Sequence, residues 1–140
     1  MMTTRTPVGQ GEIHVYTTPH MKLTLLSIEK DGTIRVATEG NITTGDFEAG
    51  GKNPFETLLG ATWFTTKVLL NMEKTDYIDS SAIGWIIGCH KSFKDGGGMI
   101  IVHSVQPSVK QILDVLKIGR VVPIVKDEAE ARAMAIGGKR

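Results

Sequence analysis

The 140-residue chain has one cysteine, Cys89, so an intramolecular disulfide framework is excluded and a reducing compartment is suited. It has almost no net charge, with 16 Lys and Arg against 15 Asp and Glu. Direct nucleic-acid binding is therefore not expected, because neutralising phosphates takes a basic surface. No run approaches the roughly 18 uninterrupted apolar residues of a membrane span. Residues 1–20 contain no apolar core of the kind an export signal needs. These absences predict a soluble, cytoplasmic protein.

Catalytic and metal signatures are also missing. Cys89 and His90 are adjacent while His14, His20 and His103 are scattered, so no metal or cofactor is expected. There is no Gly-x-Ser-x-Gly elbow, and no His/Asp pair is placed by sequence to activate a serine. Gly96-Gly97-Gly98 precedes a strand, whereas a phosphate-cradling loop opens a helix, so it is a turn. An enzyme is not expected.

The chain is long enough for one compact core and short for two. Residues 1–20, rich in Thr, Gly and Pro without periodicity, read as a flexible tail. Residues 13–16 are too short a pattern to assign an edge strand. A single domain is expected over 21–140.

Residues 22–30 alternate as a strand, Asp31-Gly32 supplies a hairpin turn, and 33–39 return as its partner. A loop is expected over 40–51. Asn53 as cap, Pro54 in the first turn and Glu56 start a short helix that Gly60 ends. Residues 68–72 form an apolar run that reads as a buried parallel strand. After it, Ala82, Ile86, Cys89 and Phe93 follow helical spacing, joined by Ile83, Ile87 and His90.

Residues 99–103 form the next buried strand. Pro107 opens a helix with Val109, Ile112, Leu113 and Leu116 on one face, Lys110 paired with Asp114, and Gly119 as its stop. Residues 121–125, holding Pro123, suit an edge strand. Asp127 and Glu130 then cap an alanine-rich helix that ends at Gly137-Gly138. Strand–helix units joined by short connections require parallel pairing with right-handed crossovers. The expected class is α/β: a small mixed sheet, an N-terminal hairpin plus parallel strands, packed against helices.

The junction Asp79-Ser80-Ser81 is where strand pattern gives way to helix pattern. Such a cluster is an ordinary N-cap signal. Asp79 is expected to orient the corner or cap the helix, and Ser81 is the stronger candidate for a pure cap. Trp85, about one turn on, is open to a core or an interface role. Lys110, Lys117 and Arg120 are open to a partner-facing rim or a solvated helix face.

The residues 68–72, the corner Tyr77-Ile78-Asp79-Ser80-Ser81-Ala82-Ile83-Gly84, the strand at 99–102 and the helix start at Pro107 resemble the STAS domain. More narrowly, residues 21–136 look like bacterial anti-sigma factor antagonists. The resemblance implies a phosphorylation-switched binding module. Ser80, with Ser81 as second choice, would be the phosphorylation site. Asp79, Ser80, Ser81, Ile83, Trp85, Asn41 and Thr43 would face the partner. It implies an anti-sigma factor that is also a serine kinase, and a phosphatase, as partners. Where antagonists of the family often carry an acidic pair, this chain reads Gly40-Asn41-Ile42-Thr43, with no carboxylate. The alternative is a sensory STAS module with no sigma-factor partner, holding a nucleotide or lipid-like ligand between the corner and residues 43–53.

Overall fold

The computed structural model describes residues 2–4, 14–47 and 52–137. Among them, seven strands form one sheet in sequence order. They are β1 (Met2–Thr4), β2 (His14–Thr17), β3 (Met21–Ile28), β4 (Thr33–Ile42), β5 (Lys67–Ile78), β6 (Met99–His103) and β7 (Ile124–Val125). β1 to β4 pair antiparallel, and β4 to β7 pair parallel. The helices are α1 (Pro54–Leu59), α2 (Ser80–Gly96), α3 (Pro107–Val115) and α4 (Glu128–Gly137).

Alternation along β5 assigns the two faces. Val68, Leu70 and Met72 join the main core with Phe55 and Leu58 of α1, Ile86 and Phe93 of α2, and Val109 and Leu113 of α3. Leu69, one residue out of phase, packs with Ile101 against Ala131 and Ala135 of α4. Small alanines let α4 sit close to the sheet. A strand buried on both faces needs an unbroken apolar run, which 68–70 provides.

The class and the hairpin agree with the sequence pattern, and several details differ. The first 20 residues are not a tail throughout, since β2 pairs with β3 and Tyr16 is buried. Its partner strand is supplied by the fold, which local composition does not reveal. Residues 5–13, the loop stretch 48–51 and Gly138 lie outside the described residues.

In the β3–β4 turn, the Gly32 N–H donates to the Glu29 carbonyl, so Lys30 and Asp31 are the central residues. Gly32 follows them at φ 90, where its missing side chain avoids strain. β4 runs on through Gly40 to Ile42 instead of stopping at Glu39. Gly40 bulges there at φ 89, and a Cβ on it would run into the His20 carbonyl. β5 continues to Ile78, well past the apolar run, because Thr75 buries its hydroxyl against Thr38.

α3 ends sooner than Gly119. Leu116 closes it half-exposed, and Lys117 takes the left-handed conformation at φ 57. Only Ile124 and Val125 of the expected edge strand pair with β6.

Candidate functional site

The end of β5 runs directly into α2, and the turn between them is one residue, Asp79. Its backbone is extended, and its N–H donates to the Ile42 carbonyl, tying the corner to the end of β4. One carboxylate oxygen of Asp79 accepts from the backbone N–H groups of Ser81 at 2.8 Å and Ala82 at 3.1 Å. This is the N-cap of α2, satisfying two donors that the helix leaves open. The other oxygen accepts from the Thr44 N–H at 3.0 Å and from its hydroxyl at 3.3 Å. Partial burial pushes the Asp79 pKa up. The donors from Ala82, Thr44 and Ser81 outweigh that and hold it below the usual carboxylate range.

Ser81 is therefore not the cap. Its hydroxyl lies 2.9 Å from the Thr44 hydroxyl. Since Thr44 gives its single proton to Asp79, Ser81 is the donor in that pair. Ser80, the first residue of α2, is exposed, and its side chain has no hydrogen-bond partner among the described residues. With four hydrogen bonds and a lowered pKa, Asp79 is a poor proton acceptor for Ser80. The corner presents a hydroxyl without activating it.

Opposite the corner, a short 3₁₀ turn over Thr44–Asp46 is built around a buried carboxylate. Asp46 accepts from the Thr18 hydroxyl, the His20 N–H at 2.7 Å, the Thr43 N–H at 2.9 Å and the Thr43 hydroxyl at 3.2 Å. His20 Nδ1 stands 3.2 Å from the Thr43 hydroxyl and 3.6 Å from Asp46. Burial opposes ionisation of Asp46, and the donors from Thr18, Thr43 and His20 overcome it, so its pKa is also lowered. The loop is thus fixed from below by Asp46 and pinned from above by Thr44.

The expected site residues divide accordingly. Asp79, Ser80 and Ser81 stand together, with the 43–46 turn hydrogen-bonded to them through Thr44. Asn41 is exposed near the end of β4, opposite Tyr77 of β5. Thr43 is half-buried and committed to Asp46. Ile83 is half-buried against the core. Trp85 stacks on Phe55 at 5.5 Å, lies 5.4 Å from Phe47, and donates from its indole to Asn53 at 3.3 Å. It belongs to the aromatic packing that joins α2 to α1 and reaches Phe47, the residue that follows the 44–46 turn.

Thr44 and Asp46 were not singled out from the sequence; His20 was weighed there only as a metal ligand, and the half-exposed Tyr77 was named only as part of the corner run. Thr43-x-x-Asp46 has the spacing of a capping box, the one local signal that marks this turn. Cys89 is buried under an Asn53 amide 3.3 Å away, and burial pushes its thiol up to about 12, so it stays protonated and unreactive.

The STAS domain profile matches residues 9–131 of the chain. The chain belongs to the STAS domain family. A curated relative of this STAS chain, the anti-sigma F factor antagonist of Paenibacillus polymyxa, is 31% identical over 64 residues. That match covers 46% of this chain and spans 55% of the length of the relative. Among solved structures, the anti-sigma factor antagonist SpoIIAA in its unphosphorylated form is 16% identical with a TM-score of 0.54, covering 86% of this chain and 98% of that one. An anti-sigma factor antagonist from Mycobacterium paratuberculosis is 13% identical with a TM-score of 0.58, covering 81% and 94%. At these identities the two structures speak for the shared fold of the STAS domain.

Proposed function

We propose that this STAS domain is a phosphorylation-switched anti-sigma factor antagonist with Ser80 as the acceptor. Unmodified, it binds an anti-sigma factor that is also a serine kinase; phosphorylated, it releases it; a phosphatase restores binding. It acts in the cytoplasm as a regulatory binding protein without a cofactor, and not as an enzyme. One observation carries this reading: of the two corner serines, Ser80 alone is exposed, with no side-chain hydrogen-bond partner among the described residues, while Ser81 is bonded to Thr44.

The physics of the position suits a switch. A phosphate on Ser80 would bring about −1.5 to −2 charges to the positive end of the α2 dipole, which the fold tolerates. A partner docked over Ser80, Asn41 and the 43–46 turn would have to bury that charge. Leaving it unpaired costs about 3–5 kcal/mol. That is roughly a hundredfold to several thousandfold in affinity. Asp79, Ser81, Thr43 and Ile83 act as the frame of this surface, and Trp85 supports it from beneath.

Incubation with the kinase partner and ATP, followed by peptide mass spectrometry, is expected to place the phosphate on Ser80. Ser81→Ala should leave modification intact, Ser80→Ala should abolish it, and Ser80→Asp should lose the partner in a pull-down. Phosphate found elsewhere, or full-strength binding by Ser80→Asp, would sink the assignment.

A further inference from the structure

The turn that follows α3 carries a surface of another kind. Lys117 leaves the helix in the left-handed conformation, and a 3₁₀ turn over Ile118–Arg120 follows. Ile118 and Val122 anchor this turn in the core. Around those anchors the aliphatic side chains face outward: Val115 is 72% exposed, Leu116 54% and Val121 43%. Lys117 and Arg120 are exposed as well, and neither has a carboxylate partner among the described residues. From Val115 to Val125 the sequence holds two cations, Lys117 and Arg120, and no Asp or Glu. The acid just before, Asp114, is held by Lys110 at 2.9 Å.

Topology sets this turn apart from the Ser80 corner. β4 to β7 are parallel, so α2 and α3 run back from the carboxyl ends of the strands toward their amino ends. Ser80 opens α2 at the carboxyl end of β5, while the turn after α3 lies at the opposite end of the sheet. A contact there would leave the corner free.

We propose that this turn is a docking point for an anionic lipid surface. Exposed aliphatics beside Lys117 and Arg120, two cations with no carboxylate partner among the described residues, are complementary to an interface that is negative outside and apolar just below, as in an anionic bilayer. No helix among the described residues is long and apolar enough to cross a membrane, so the contact is peripheral. With so few cations, it is reversible and weakened by salt.

The test is co-sedimentation of the full chain with large vesicles of phosphatidylcholine, alone or mixed with phosphatidylglycerol. Binding is expected to the mixed vesicles only, and to fall as salt rises. The Lys117→Glu, Arg120→Glu double variant should reduce it about tenfold or more. Leu116→Ser with Val121→Ser should weaken it several-fold, and Ser80→Asp should leave it unchanged. All these side chains are exposed, so the variants are expected to melt with the wild type. Failure to bind mixed vesicles at low salt would overturn the proposal. So would wild-type binding by the Leu116→Ser, Val121→Ser variant, which would reduce the attraction to charge alone. Retention on a polyglutamate matrix without vesicle binding would assign the turn to an acidic protein instead.

Discussion

At the scale of single residues, the corner separates groups of the same chemistry by what holds them. Ser80 and Ser81 are adjacent hydroxyls; Thr44 claims one and leaves the other exposed. Asp79 and Asp46 are both ionised acceptors, but Asp79 organises a helix start whereas Asp46 fixes a loop from inside. Asp46 collects four donors from Thr18, His20 and Thr43 and is buried. Replacing it with Asn keeps the shape but turns an NH₂ group toward donors. That should cost about 2–3 kcal/mol in chemical denaturation, as expected for lost charge-assisted bonds and stranded donors. The pH dependence has a definite sign. The folded pKa of Asp46 lies below its unfolded value, so its contribution is complete above the ordinary carboxylate range and is lost as pH falls from there through the lowered folded pKa. The wild type and Asp46→Asn should therefore differ most at neutral pH and begin to converge as pH falls below about 4. A constant gap across that range would show that Asp46 does not act as a carboxylate.

Among the elements, β5 joins fold to site, because its last residue precedes the cap of α2. Its second half is polar, and a buried hydroxyl pair, Thr38 with Thr75, keeps β4 and β5 parallel up to the corner. Thr75→Val leaves the Thr38 hydroxyl buried without its partner and should cost about 1–2 kcal/mol. Thr38→Val should cost about the same, and the double variant less than the sum, since both polar groups are then gone. Strict additivity in a denaturation cycle would show that the pair is not coupled.

This pair also shows where the sequence stops being informative. The apolar run at 68–70 was legible because burial on both faces demands it, and so were the α2 stripe and the Asp79-Ser80-Ser81 junction. The extension of β5 past Met72 was not, because Thr75 is held by a residue 37 positions away. The same holds for β2, which needs the edge of β3, and for Thr44, whose role exists only once the corner is folded. The helix stop shifted from Gly119 to Leu116 because Ile118 must return to the core, which forces Lys117 into the left-handed region.

For the molecule as a whole, α4 is the helix whose buried residues cluster with Leu69 and Ile101 on the second face of the sheet. Arg35 of β4 reaches Glu128 at 3.0 Å, and Arg132 of α4 reaches Glu29 at 2.8 Å and Glu128 at 3.2 Å, bracing that helix against the β3–β4 hairpin. His103 lies on the same face of β6 as Ile101, buried, with Nδ1 2.8 Å from the Ser104 hydroxyl and Nε2 without a hydrogen-bond partner among the described residues. Burial pushes its pKa down; Glu128 of α4, Asp127 just before that helix and Glu73 of β5 pull it up, and Arg35 of β4 pushes it down further, leaving it lowered overall. The unfolded chain therefore binds a proton at His103 before the folded one does. The stability from a neutral His103 is complete above about pH 6.5 and is lost as pH falls from there toward the folded pKa. For one proton the slope is at most about 1.4 kcal/mol per pH unit. Wild-type denaturation midpoints should decline between pH 7 and pH 5, in a step separate from the Asp46 step below pH 4. His103→Phe should flatten the upper step and leave the lower one in place. If that variant kept the full decline above pH 5, the loss would have to be assigned to another group, and His103 would not set the acid limit of this face.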